Sequence, residues 1–316
     1  MDSRTKQLIT LSMAGLLGAC FGGTGEQDTL RDAPSATGIS LGLQVNLARD
    51  ASTADSAATI FKDAVRQPLV GGDFFIARSS VDDAVLKSLE NLSGDYSGRL
   101  NVQGEGDTVT ISTEYDPIRA REDRWYPVDQ LQIDPGPNPD LVGYTSEVIF
   151  PAPLEITSAR TATYTSRNDN IVLTWTAGSS DQMTSNAIVT CSDASNKTYT
   201  FPRFNVLGST QNSNNPDGAG TYTLQVSDII PNTNIINAVA TFQHEVATII
   251  TAALLEYYTF GLISAQNIPL STFIVESCDV QLTVFRENGY NDNLPDGVGG
   301  FIVGSTSDTV TFRFVP

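Results

Sequence analysis

The sequence predicts an all-β protein built as two β-sandwich domains in series. Three observations carry this. Short runs alternate apolar and polar side chains at period two, most cleanly in Thr108 to Tyr115 and in Val310, Phe312 and Phe314 set against Thr311 and Arg313. Clusters of Gly, Pro, Asn and Asp break these runs at roughly ten-residue intervals, the spacing of strands in a sandwich or barrel. Pro151-Ala152-Pro153 stiffens a short connection midway, which places the domains at 39–150 and 151–316.

In the first domain, Ile39 to Leu47 alternates apolar with small or polar residues and suits an opening strand. Ala51 to Val65 contains Ala57-Ala58-Thr59-Ile60-Phe61 and reads as a short helix or an ordered linker. Strands are then expected at Asp73 to Ala77, Asp95 to Val102, Thr108 to Tyr115 and Ser146 to Phe150. Asp134 to Asp140 holds three prolines, which cannot donate to a ladder, so that stretch is a loop.

In the second domain, strands are expected at Leu154 to Ser158, Ile171 to Thr176, Asn186 to Cys191, Thr198 to Phe201, Thr221 to Val226, Cys278 to Phe285 and Thr309 to Phe314. Ile249, Ala253, Leu254 and Tyr257 fall at helical spacing, which predicts a helical insertion over 235–258, packed against one end of the sandwich. Ile171-Val172-Leu173-Thr174-Trp175 sets an aromatic late on an early strand, and Asp217-Gly218-Ala219-Gly220-Thr221-Tyr222 precedes another. From Leu154 to Asp228 the chain resembles a fibronectin type III or immunoglobulin-like domain. The Asp217 run carries one residue more than that family's tyrosine-corner pattern.

The N-terminus has the layout of an export signal. Arg4 and Lys6 precede a short apolar run from Leu8 to Leu17, too brief to span a bilayer. Leu17-Gly18-Ala19-Cys20 follows, and this order resembles the lipobox of bacterial lipoproteins. The resemblance implies that residues 1–19 are a signal peptide and that Cys20 becomes the mature N-terminus, carrying a thioether-linked diacylglycerol and an N-acyl chain of the palmitate type. Several acyl chains give durable membrane anchoring. That family retains proteins at the inner membrane with an aspartate after the cysteine. Phe21 stands there instead, so the outer membrane is the expected location, facing either periplasm or medium. Residues 20–38 are rich in Gly, Thr, Asp and Pro and read as a flexible lipidated tether.

The chain carries 36 acidic and 18 basic residues, a net charge of -18, and residues 1–19 are net basic. Such a field repels nucleic acid and anionic surfaces, so no nucleic-acid partner is expected. With Cys20 committed to lipid, Cys191 and Cys278 remain, both in strand-like sequence and in an oxidising compartment. They are expected to bond.

Catalytic patterns fail one by one. His244 is the single histidine, and His244-Glu245 lacks a second histidine at position 248, where Thr248 stands. There is no Gly-x-Ser-x-Gly elbow. Gly300 to Gly304 lacks the spacing and lysine of a phosphate loop. No catalytic residue is assigned. Two loops, 212–218 and 291–297, end in Pro-Asp-Gly. Calcium there would use Asp217, Asp292 and Asp296, calcium being the one cofactor considered. Both loops lack the closing ligand or spacing of an EF-hand, and ordinary β-turn chemistry is the preferred reading.

These features predict an envelope-anchored lipoprotein acting as a non-catalytic binding or structural module. The membrane is its lipid-mediated partner, and a protein or glycan is its ligand. Trp125-Tyr126-Pro127, after the charged run Arg119 to Arg124, is the best ligand-binding patch, with Tyr144, Tyr290 and Phe301 as further candidates for glycan stacking. A subunit of an envelope assembly, and an enzyme with an acidic cleft of converging carboxylates, are the alternatives.

Overall fold

A computed structural model describes residues 39–62, 65–66, 69, 73–88, 95–115, 144–158, 161–207, 216–258, 272–290 and 299–316. The described chain is mostly strand, in the layered form of a β-sandwich. Its spine is an antiparallel hairpin of two long strands, β14 (Ser277–Tyr290) and β15 (Gly299–Phe314), registered from Cys278 opposite Phe314 to Tyr290 opposite Ile302.

The first half of β15 lies parallel to β1 (Ile39–Ala48), with Ser40 opposite Gly299 and Ala48 opposite Ser307. On its other side β1 pairs antiparallel with β2 (Ala54–Lys62), whose end also meets β3 (Val65–Arg66). β6 (Asp95–Leu100) follows β2 in the sheet. β5 (Asp83–Ser88) then crosses between layers. Lys87 and Ser88 pair with β6, while Asp83 to Leu86 pair with β4 (Asp73–Arg78). β7 (Thr108–Tyr115) and β8 (Thr145–Ile149) complete the second layer. Leu41, Leu43 and Val45 of β1, Phe75 of β4, Ile111 of β7 and Ile302 of β15 meet in one core, which excludes water from both layers.

The second half of β15 serves a different core. There the sheet order is β12 (Thr198–Phe204), β11 (Gln182–Ser192), β14, β15, with β9 (Thr161–Tyr164) parallel to the end of β15. Facing it is a two-stranded layer, β10 (Asn170–Thr174) with β13 (Thr221–Gln225). Val280, Leu282 and Val284 of β14 and Phe312 and Phe314 of β15 pack on Leu173, Leu224 and Trp175 between them. A single-turn helix α1 (Val226–Ile229) and a long helix α2 (Thr233–Tyr258) close one end through Ile229, Ile236 and Ala240.

The sequence of β15 shows both duties. Ile302 and Val303 are apolar, Val310, Phe312 and Phe314 are apolar, and between them Ser305, Thr306, Ser307 and Asp308 are polar yet buried. That polar stretch lies where the strand passes from one core to the other. Its groups are bonded: Thr306 donates to the Ala152 carbonyl at 2.8 Å, and Asp308 accepts from the Ile156 N–H at 2.8 Å and from Arg49 at 3.2 Å. The second residue of β15 is Gly300, whose φ is 109° and where an added Cβ would stand 2.0 Å from the Leu41 carbonyl oxygen. Only glycine lets the two backbones approach so closely.

Several expectations change in detail. Ala51 to Val65 is not helix or linker but contains β2. Its alanines favour helix intrinsically, yet Ala54, Ser56, Ala58 and Ile60 point inward at period two, and burial of that face decides the outcome. β5 was not expected at all. Leu154 to Ser158 forms a single bridge, Ile156 to Trp175, rather than a strand. The predicted helix over 235–258 is present and begins two residues earlier, at Thr233. The signal peptide, lipidation at Cys20, the tether of residues 20–38 and the loop 134–140 lie outside the described residues.

Candidate functional site: a hydroxyl-lined groove and the charged hub behind it

The outer face of the second sheet follows from strand alternation. In β14, Cys278, Val280 and Leu282 turn inward, so Asp279, Gln281 and Thr283 turn out. In β15, Thr309, Thr311 and Arg313 turn out for the same reason. Register then assembles rows across the sheet. One row runs Thr163, Arg313, Asp279, Thr190 and Thr200; the next runs Thr161, Thr311, Gln281 and Ile188. A third sets Thr309 beside Thr283 and Asn186.

Facing hydroxyls bond across strands. Thr190 and Thr200 are 3.0 Å apart at Oγ1, as are Thr283 and Thr309. One member of each pair donates and keeps acceptor capacity; the other keeps its own O–H. Arg313 donates to Ser277 at 2.8 Å and stands 3.9 Å from Asp279, with both charged side chains more than half exposed. The first two rows, Thr200 excepted, line an open groove of about 830 Å³. Asp279 is the one carboxylate among its described lining residues, so the groove offers hydrogen bonds and apolar patches at Ile188 and the threonine methyls rather than a pair of catalytic acids.

Beneath it the phenols of Tyr164 and Tyr199 are pushed above the ordinary tyrosine range, both by burial, with the Asp169 charge adding to the effect at Tyr164. Tyr164 meets Phe312 edge-on at 5.5 Å. These rings are neutral supports for the sheet that carries the groove.

At the waist, Arg286 of β14 is 1 % exposed and is the largest fully buried side chain described. Its Nε donates to Asp217 Oδ1 at 2.9 Å, and Nη2 lies 2.7 Å from the same oxygen. Nη1 donates to the carbonyls of Ala152 and Pro153, and Nη2 to that of Thr176. Ser180 gives its N–H and hydroxyl to Asp217 Oδ2 at 2.9 and 2.8 Å. Gly178 lies against the pair: a Cβ there would stand 2.7 Å from Asp217 Oδ2 and 2.8 Å from Arg286 Cζ. The hub thus ties β14 to the proline junction and to two loops.

Asp217 is also the residue weighed above for calcium. Both of its oxygens are engaged by Arg286 and Ser180, and a guanidinium occupies the place of a cation. Among the described residues no group of three or more His, Cys, Asp or Glu converges as a metal site. Asp292, Asp296, Trp125 and Tyr126 lie outside the described residues. Tyr144 packs against the first core, and Phe301 covers Gly42, with the added Cβ position 3.3 Å from its ring. His244 stacks on Phe273 at 5.8 Å, and its backbone carbonyl accepts from Thr248.

Cys191 and Cys278 form the expected disulfide. They are directly opposed on β11 and β14, so the bond joins neighbours in one sheet rather than bridging two sheets. Reading the sequence missed the groove. The Thr-x-Thr spacing in β15 was visible, but the position of β9 beside β15 was not. Nothing in the local sequence around Arg286 marks it as buried; its partner Asp217 lies 69 positions away.

No family model matches the chain, and no curated protein matches it. Among solved structures, CBD12 from CALX1.2 is similar at 7 % identity, covering 88 % of this chain and 100 % of that one, with a TM-score of 0.17.

Proposed function

We propose that the protein is an envelope-tethered, non-catalytic binding module whose contact surface is the outer face of β12, β11, β14, β15 and β9. One observation carries this reading: four adjacent strands, β11, β14, β15 and β9, align polar side chains in rows across an open groove, on a sheet fixed from behind by a disulfide and a buried ion pair. The strand order, with β10 and β13 opposite β12-β11-β14-β15, supports an immunoglobulin-like module, an architecture suited to rigid display.

The position of the groove fits a tether that carries lipid on Cys20. Residue 40 enters the fold opposite Gly299, and the groove lies near Thr311 of the same strand. Twelve residues at about 3.3 Å each put roughly 40 Å between them. The ligand face is then held away from the point of attachment.

A photo-crosslinking amino acid at Gln281, compared with one at Val172 on the opposite layer, tests the reading in intact cells. Adducts at Gln281 and none at Val172 support it, and equal yields overturn it. In the same cells Cys20→Ser shifts the protein from the membrane to the soluble fraction. Unchanged fractionation would remove the tether from the proposal. The runner-up, a subunit of an envelope assembly, is favoured by Phe204, 74 % exposed on the edge strand β12. Pro202 in that strand removes a backbone donor and weakens main-chain pairing there.

A further inference from the structure

Resting on that reading, we propose that the groove takes a neutral polysaccharide, laid across the rows formed by Thr161, Thr311, Gln281, Thr163, Arg313 and Asp279. The argument begins with what each side chain offers. A threonine presents a methyl and a hydroxyl on one carbon, and the rows repeat that pair across adjacent strands about 4.8 Å apart. A pyranose has the matching duality: a C–H face that prefers apolar contact and a rim of hydroxyls that donate and accept. Ile188, half exposed in the second row, supplies further apolar surface. Gln281 both donates and accepts. Asp279 accepts and Arg313 donates, and together they can engage neighbouring hydroxyls with charge-assisted bonds.

The other occupant classes fit less well. An anionic polymer meets a chain of net charge -18, and within the groove its one lining arginine is already matched by Asp279. A protein partner draws its affinity from large buried anchors filling apolar pockets; the groove is shallow and hydroxyl-rich, with Ile188 its one exposed large aliphatic. A bare cation needs several oxygen ligands with negative charge, and Asp279 stands alone. An open groove suits a chain laid along it rather than a small molecule that is enclosed.

The test uses purified full-length protein in detergent and affinity electrophoresis through gels containing soluble neutral polysaccharides (a β-glucan, a xylan, a galactomannan) or anionic ones (alginate, hyaluronan). At least one neutral polymer should retard the protein and the anionic ones should not. The double variant Asp279→Ala with Gln281→Ala, checked for an unchanged circular dichroism spectrum and melting point, should bind about tenfold or more weakly, as loss of two or three hydrogen bonds implies. Val172→Ala, on the opposite layer, should bind as the parent does. Retardation only by anionic polymers, or full binding by the double variant, overturns the proposal. No retardation by any polymer, with a protein adduct at Gln281 in cells, overturns the glycan assignment and leaves the binding module standing. No retardation and no adduct overturns both.

Discussion

The two cores are closed by different means. The first packs two layers of comparable breadth, and its interior is largely aliphatic and small, with Leu41, Leu43, Ala54, Ala58, Ala77 and Ile111 around Phe150 and an aromatic pair, Phe75 and Tyr96, at 5.4 Å. Backbone pairing of β1 with both β15 and β2 holds it together. The second sets five strands against two. A two-strand layer cannot cover so wide a face, so loops and helices complete the cover. Loops have no ladder to satisfy their backbone groups, and a buried loop needs side-chain partners instead. Arg286 and Asp217 supply them, reaching three carbonyls and the Ser180 N–H. Cys191–Cys278 adds a covalent link. A lopsided sandwich thus adds a buried ion pair and a disulfide to its apolar core, where the balanced one is closed by apolar burial between two layers.

Arg286→Met should break the comparison most severely. It strands the Asp217 carboxylate in a buried site, and breaking such a pair costs about 3–5 kcal/mol. Denaturant midpoints should fall accordingly, and hydrogen exchange should speed up in peptides of β10, β13 and β14 before those of β1 and β2. Adding Asp217→Leu should recover part of the loss, since the unpaired charge is then gone. Equal loosening of both cores would mean the hub does not belong to the second alone.

Removal of the disulfide by Cys191→Ser with Cys278→Ser is expected to cost about 2–4 kcal/mol, again confined by hydrogen exchange to the second core. The bond spans 87 residues, including α2 and the loop that carries Asp217. Releasing it frees that long segment in the unfolded chain. An effect of similar size on β1 exchange would contradict the division.

The smallest effect belongs to the first half and to pH. Asp107, in the turn between β6 and β7, is buried, which alone would raise its pKa. Hydrogen bonds from the Gln103 N–H, from Ser80 and from the Thr108 N–H outweigh burial and hold it below the ordinary carboxylate range. A lowered folded-state pKa gives stability that is full above the unfolded value, about 3.9, and that is lost as pH falls through the folded one. Acid should therefore loosen the turn 101–107, and Asp107→Asn should flatten that part of the pH dependence when melting is followed from pH 6 to pH 2. An unchanged acid limb in the variant would assign the loss to other carboxylates.

Much of the architecture could be read locally. β7 runs from Thr108 to Tyr115 as expected, because its valine, isoleucine and threonine alternate without ambiguity. The helix α2 was readable from spacing despite its threonines. β2 was not, because alanine has little side chain with which to declare a face. Asp217 read as a turn residue, and within its own segment that is what it is; its partner lies 69 positions away.

Alternation and spacing are properties of neighbours in the chain, so the sequence by itself determined a mostly β body and a helical interruption, and the resemblance that sets Cys20 aside left Cys191 and Cys278 as the expected pair. Which strand lies beside which depends on contacts between distant segments. Only the tertiary structure decided that β15 would serve two cores, that its polar middle would be buried against Arg49 and the proline junction, and that threonines from β9, β11 and β15 would share one face. Burial of a face selects among pairings that local pattern leaves equal, and that selection is made by the folded whole.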